Sequence, residues 1–179
     1  MRELIESGNV RPSIAAVAAR SGINAATIHR RWGSIDALLL DVAVAEVNER
    51  EPVQTTGRLR QDLLLYARQV QENVSRPDGL SFLRTLVAAA SNPTIGPEGA
   101  LVLLGARLEQ FEQLLRATGT SSALTVEDLV DGLLAPVYLR ALLSHPSTLE
   151  DHNLIRLVDN LIAVDQARLD SSSGGSRDR

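Results

Sequence analysis

The sequence contains no cysteine, which excludes disulfides, thiolate metal sites, iron–sulfur clusters and thiol catalysis. It contains no lysine either: all 18 basic residues are arginine, a bias from which no mechanism follows. Aromatic residues make up only 3% of the chain, too few for the stacking platforms that hold single-stranded nucleic acid. No run approaches the roughly 20 consecutive apolar residues that a spanning helix needs. The opening residues, Met1-Arg2-Glu3-Leu4-Ile5-Glu6, lack the basic-then-apolar pattern of a secretory signal. The expected compartment is therefore the cytoplasm, with no membrane partner. What is present is an ordinary folded composition of 44% apolar and 22% charged residues in 179, enough to bury a core. The formal net charge of −4, taken alone, argues against a nucleic-acid partner.

Apolar residues recur at three- and four-residue spacing almost throughout, and strand-like alternation is scarce, so an all-α fold of about nine helices is expected. Gly8 to Pro12 ends a short first piece. Ser13 caps a helix over 13–20, stopped by Ser21-Gly22. Asn24 caps a second helix to about Trp32, ended by Gly33, and Ser34 starts a third to about Glu49. A linker over 52–57 leads to helices at about 58–74, 80–90 and 99–117. Thr125 caps another to about Ser144, with Asp128 placed for a capping box. His145-Pro146-Ser147 breaks the chain before a last helix over about 149–169, and the Ser/Gly-rich tail 171–179 reads as disordered. The elements divide into a small N-terminal domain at 1–50 and a larger helical domain at 51–170.

Residues 13–32 have the spacing of a helix-turn-helix: two short helices joined by a tight glycine turn. Val17 and Ile28 are the inward residues, and Ala18 allows a close crossing. Gly22 supplies positive φ, Ile23 is expected to plug the turn into the core, and Asn24 caps the second helix. Ala25, Ala26, Thr27, His29, Arg30 and Arg31 face outward, with small residues first for close approach to a groove and longer ones behind to reach bases or phosphates. The window from Asn9 to Ile35 holds Arg11, Arg20, Arg30 and Arg31 and no acid, a charge of +4, so the remaining residues carry −8. Net charge hides this basic head.

These residues resemble the TetR/AcrR family of bacterial transcriptional repressors. The resemblance is carried by the small residues ending in Ala18, the Ser21-Gly22-Ile23-Asn24 turn, the block Thr27-Ile28-His29-Arg30-Arg31-Trp32-Gly33-Ser34 and the following Leu38-Leu39. A second stretch, from Leu133-Leu134-Ala135-Pro136 to Leu142-Leu143, is similar to the penultimate helix of one branch. The resemblance implies an N-terminal three-helix DNA-binding domain and a helical C-terminal domain that binds a ligand and dimerises. It implies a ligand-responsive regulator, as a rule a repressor, that binds a palindromic double-stranded DNA operator as a homodimer and answers to a small-molecule effector. Ser13, Asn24, Thr27 and His29 would meet phosphates or base edges, with Ala25, Ala26 and Arg30 on the groove side. His29 stands where the family usually has tyrosine. Ile35 replaces a lysine that the family aims at phosphate, and only Met1 to Ser7 precede Gly8, so the first helix reads as truncated.

The last helix carries an apolar stripe of Leu154, Leu157, Val158, Leu161 and Ile162, and the preceding one carries Leu129, Leu133, Val137 and Arg140. With the resemblance, these are the expected dimer interface, the alternative being a core helix pair within one chain. Pro136 is expected to kink its helix above Gly132. Expected ligand-lining residues are Tyr66, Phe82, Leu86, Leu103, Leu108, Phe111 and Tyr138, which would make a largely aliphatic pocket; for each of them ordinary core is the other reading. Catalysis is not expected. No GxSxG, P-loop, GxGxxG or HExxH occurs, and Glu150 and His152 are two apart and share no helical face. No metal or cofactor is expected. The alternative function is a helical, dimeric ligand-sensing protein whose DNA-binding head has degenerated.

Overall fold

The computed structural model describes residues 12–118, 122–143 and 150–174. The expected short first helix, Arg11 and the His145-Pro146-Ser147 break lie outside the described residues. Among the described residues there is no strand, as an all-α fold requires. The elements are α1 (Ile14–Ser21), α2 (Ala25–Trp32), α3 (Ile35–Arg50), α4 (Leu59–Val74), α5 (Ser81–Ala90), α6 (Gly96–Leu103), α7 (Gly105–Arg116), α8 (Val126–Leu129), a π-helical turn (Val130–Leu134), α9 (Ala135–Leu143) and α10 (Asp151–Gly174). No helix among them is long and apolar enough to cross a membrane.

Two compact units form, and neither is contiguous in sequence. The first joins the chain through Glu46 to Ser81–Leu104; the second joins Val47–Leu80 to the chain from Gly105 onward. The dividing line falls within α3. Residues 81–104 thus belong to the helix-turn-helix unit, whereas a division in chain order at residue 50 would assign them to the other. In the first unit, Leu40 and Val44 of α3 pack with Ala89 of α5 and Ala100 of α6. Asn92, in the turn between α5 and α6, donates from Nδ2 to Oδ2 of the buried Asp36 at 2.7 Å. The other end of the same side chain accepts from the Thr94 amide at 2.9 Å, so one asparagine both closes its turn and ties it to α3.

The second unit is built around Leu63, Tyr66 and Val70 of α4, Phe111 and Leu114 of α7, Leu129, Leu133, Val137, and Leu154, Val158 and Leu161 of α10. Pro136 has no N–H to give Gly132, and the helix ahead of it widens: the Ala135 N–H reaches the Val130 carbonyl across a π turn. Gly132 has a second role. A Cβ there would stand 2.7 Å from Cδ2 of Leu161, so the glycine lets α10 approach closely. The sequence reads one helix over 99–117, but the chain breaks at Leu104 and restarts at Gly105, where a glycine in a helix interior is unfavourable by about 1 kcal/mol. α10 also continues past the expected end at residue 169. The hydroxyls of Ser171 and Ser172 donate back to the Ala167 and Leu169 carbonyls there.

The Thr125–Asp128 capping box is formed as expected: the Thr125 hydroxyl accepts from the Asp128 N–H, and Asp128 accepts from the Thr125 N–H at 2.8 Å. Arg168 of α10 grips the same carboxylate with both Nη atoms. Arg168 first, and then the Thr125 N–H, lower the Asp128 pKa from 3.8 to about 2. A carboxylate held below its unfolded value stabilises the fold above that value, and the contribution is lost as pH falls toward the folded value. An Asp128→Asn variant, which keeps hydrogen-bonding capacity but no charge, should lose about 1 kcal/mol at neutral pH, after allowance for the half-exposed arginine. In urea titrations this deficit should shrink as pH falls from 3.8 to about 2.

Candidate nucleic-acid interface

α1 and α2 are each eight residues long, too short to persist alone, and their ends are closed by local chemistry. The Ser13 side chain accepts from the Ala16 N–H at 3.1 Å, and Gly22, at φ 71°, returns its N–H to Ala18. Asn24 accepts from the Ala26 N–H at 2.8 Å, which leaves its amide N–H groups as donors. Gly33, also at φ 71°, returns its N–H to His29 at 2.8 Å, and the Ser34 hydroxyl accepts from the Ala37 N–H to start α3. Both glycines take the left-handed region, where a Cβ would be strained.

Val17, Ile28 and Leu38 make the core that joins the three helices, with Ile14, Ala18, Trp32 and Ile35 against it. Ile28 anchors α2 from below and Trp32 is half-buried; every other residue of α2 is exposed. Ala25, Ala26, Thr27, His29, Arg30 and Arg31 therefore share one free surface, flanked by the exposed Ser13 and Asn24. Arg30 has no partner among the described residues. The Arg31 guanidinium lies 4.6 Å from the centroid of the Trp32 ring, whose Nε1 donates to Oδ2 of Asp41 at 2.9 Å.

One expectation for this motif fails. Ile23 does not plug the turn into the core; it is 47% exposed. The turn is closed by backbone bonds and by the Ser21 hydroxyl, which accepts from the Ile23 N–H, while Leu38 of α3 completes the core instead. Ile35 packs against that same cluster, so it is an apolar contact as well as a missing cation.

The seven expected ligand-lining residues fall into two separate clusters. Tyr66 and Phe111 are buried in the second unit with Leu108 and Tyr138 partly buried beside them, whereas Phe82, Leu86 and Leu103 pack in the first unit around Ala89 and Ala100. The expected interface residues also divide. Leu129, Leu133, Val137, Leu154, Leu157, Val158 and Leu161 are already buried in their own chain, and Arg140 and Ile162 are half-buried. The seven buried residues pack within their own chain. Helical periodicity marks an apolar stripe without saying what covers it, and here α4 and the π turn cover it. Among the described residues, the exposed large apolar side chains of that helix pair are Leu139, Leu142 and Leu143 of α9, at 54, 54 and 74%, and Val164 of α10.

A polar centre that the sequence reading missed lies in the second unit. Glu51, fully buried, receives Nη2 of Arg107 at 3.1 Å and Nδ2 of Asn73 at 2.7 Å. Arg107, only 4% exposed, also donates to the Glu51 carbonyl at 2.8 Å and to the Tyr66 hydroxyl at 2.7 Å, and it lies over the Tyr66 and Phe111 rings. Burial raises the Glu51 pKa against the opposing pull of Arg107, and burial pushes the Tyr66 and Tyr138 phenols above their ordinary range. Separations of 22 and 56 residues between Glu51 and its two partners leave no short-range signal; the one hint is an acid and an arginine set among apolar positions. Among the described residues, no group of three or more histidine or acidic side chains could hold a metal ion.

Residues 53–161 match the family model described as the tetracyclin repressor-like C-terminal domain. The chain is 27% identical over 92 residues to the HTH-type transcriptional regulator AqdR of Rhodococcus erythropolis, an alignment covering 51% of this chain and 44% of that protein. It is 22% identical over 145 residues to the uncharacterized HTH-type transcriptional regulator YdeS of Bacillus subtilis (strain 168), covering 79% of this chain and 73% of that one. The chain thus spans less than half the length of the first of these relatives. No solved structure matches it. A C-terminal family match over more than half the chain, downstream of a capped helix-turn-helix, leads to one conclusion: the chain belongs to the TetR family of transcriptional regulators.

Proposed function

We propose that this chain is a ligand-responsive transcriptional repressor that binds a palindromic operator in double-stranded DNA as a homodimer, with α2 of each copy in the major groove. One observation carries the reading: α2 is anchored from one side by Ile28 and leaves the rest of its surface free, with Arg30 unpaired among the described residues. Its first residues are small, so the helix can enter a groove closely. Thr27, His29 and Arg30 then reach base edges and phosphates, and Ser13 and Asn24 add phosphate contacts. The second copy docks on α9, where Leu139, Leu142 and Leu143 lie at three- and four-residue spacing. The effector meets the second unit near Tyr66, Leu108, Phe111 and Tyr138. The polar groups beside these side chains are Arg107 and Glu51, paired with each other, and the rest of the surroundings is apolar, which suits a mainly apolar molecule.

The test is a gel-shift against the upstream DNA of the protein's own gene, with a salt titration. Arg30→Ala should weaken binding to the specific duplex by about ten- to a hundred-fold, the scale of one lost base contact, while binding to a scrambled duplex changes little. Full-length protein that binds no duplex at low salt would remove the operator-binding reading and leave a helical ligand-sensing body.

A further inference from the structure

The two adjacent arginines at the end of α2 are held differently. Arg30 has no partner among the described residues. Arg31 lies over Trp32, 4.6 Å from the ring centroid. The ring in turn is fixed twice: its body packs against the Val17, Ile28 and Leu38 cluster, and its Nε1 donates to Oδ2 of Asp41 at 2.9 Å. Arg31 is exposed and makes no ion pair among the described residues, so Asp41 holds the indole and not the guanidinium.

We propose that Trp32 and Asp41 are positioning residues that hold Arg31 as a phosphate clamp at the C-terminal end of the recognition helix. The inference rests on the operator-binding reading above. A guanidinium held over a ring makes no hydrogen bond to it, so its N–H fork is left for a phosphate, which it can grip bidentately. Ordering the side chain beforehand removes much of the entropy cost of ordering it on the DNA. Arg30 and Arg31 are consecutive, so they project about 100° apart around the helix, and only Arg31 is held over the Trp32 ring, away from the face that Arg30 presents to the groove. The same apolar cluster has taken Ile35 as a packing residue, so the start of α3 offers no cation there. Arg31 thus supplies affinity without sequence preference, and Arg30 supplies the preference.

Asp41 makes the inference testable by sign. Its negative charge lies close to the DNA-facing surface. Simple electrostatics predicts that removing it tightens DNA binding; a positioning role predicts that removing it weakens binding. The probes are a duplex selected from a random-sequence pool by the full-length wild-type protein and a scrambled duplex of equal length. Arg31→Ala should weaken both by about the same factor, on the order of ten-fold, and reduce the slope of log K against log salt by about 0.9 per protomer. Asp41→Ala should weaken both by about three-fold, and Asp41→Asn, which keeps an acceptor for the indole, should bind at least as well as wild type. Trp32→Phe, which keeps an aromatic face without the N–H, should behave as Asp41→Ala and replaces it if that variant does not fold by circular dichroism. Wild type that selects no duplex overturns the operator-binding reading and this inference with it. Wild type that binds while Arg31→Ala keeps the full slope, or while Asp41→Ala binds more tightly, overturns the positioning role alone.

Discussion

Replacing Arg107 by methionine is expected to destabilise the protein by about 3–5 kcal/mol. Methionine fills much of the same space, so the loss is one of charge and hydrogen bonds, not of packing volume. Arg107 donates to Asn48, Gln110, the Tyr66 hydroxyl and both the carbonyl and carboxylate of Glu51. Without it Glu51 stays fully buried, with Asn73 as its remaining donor. The acid then has no counter-charge in a place where water does not reach it. The sign of the pH dependence follows. Burial already raises the Glu51 pKa, and the main opposing influence is Arg107. In the variant that pKa rises further. A group whose folded pKa lies above its unfolded value is best tolerated below the unfolded value and costs stability as pH rises through the folded one. The Arg107→Met deficit should therefore be larger near pH 8 than near pH 5. Adding Glu51→Gln should recover much of the loss and flatten the pH dependence, since the amide carries no charge to strand. Urea unfolding of wild type, Arg107→Met and the double variant at both pH values reads all of this. Equal deficits at both values would mean that Glu51 does not carry the cost.

The second large effect is expected at Gly79, in the turn between α4 and α5. A Cβ built there runs into the carbonyl oxygen of Asn73 and comes within 2.6 Å of both Cα and the carbonyl carbon of Val74. These are backbone atoms, so no rotamer change relieves the overlap. The turn is also pinned, because the Gly79 N–H donates to the Arg76 carbonyl at 3.0 Å. Gly79→Ala should cost about 3 kcal/mol and lower the melting temperature by about 6–12 °C for a chain of this size. The displaced residue, Asn73, is the one that donates to Glu51, so the strain is delivered to the polar centre. Gly105→Ala is the control. A Cβ there meets nothing within 4 Å, and the change should be neutral or stabilising by up to about 1 kcal/mol. Equal melting temperatures for the two variants would contradict the close approach at Gly79.

The two predictions fall on residues that the sequence alone does not single out, and the reason is distance along the chain. The helix-turn-helix was legible because its determinants are local. Ser13, Gly22, Asn24 and Gly33 each act within four residues of themselves, through a cap or a positive φ, and each does so in the structure. The Thr125–Asp128 box was legible for the same reason. Ile23 was misread because the position that completes a three-helix core is a tertiary matter: Leu38, ten residues beyond Ile28, fills it.

The stripe on α10 shows the same limit on a larger scale. Periodicity placed Leu154, Leu157, Val158 and Leu161 on one face, and one face they share. Whether that face meets a second chain or its own α4 depends on where α4 runs, and no spacing within α10 encodes it. The exposed large apolar side chains of α9 are instead Leu139, Leu142 and Leu143.

The amino-acid sequence by itself determined the helical class, the basic head on an acidic chain, the capped turn and the free face of α2. All of these follow from composition, charge and interactions spanning a few residues. Only the tertiary structure decided that residues 81–104 join the helix-turn-helix unit, that Glu51 and Arg107 meet, and that Asp41 holds the ring on which Arg31 rests. Each of these rests on side chains brought together from nine to over fifty residues apart. At those separations, burial and packing choose the partner.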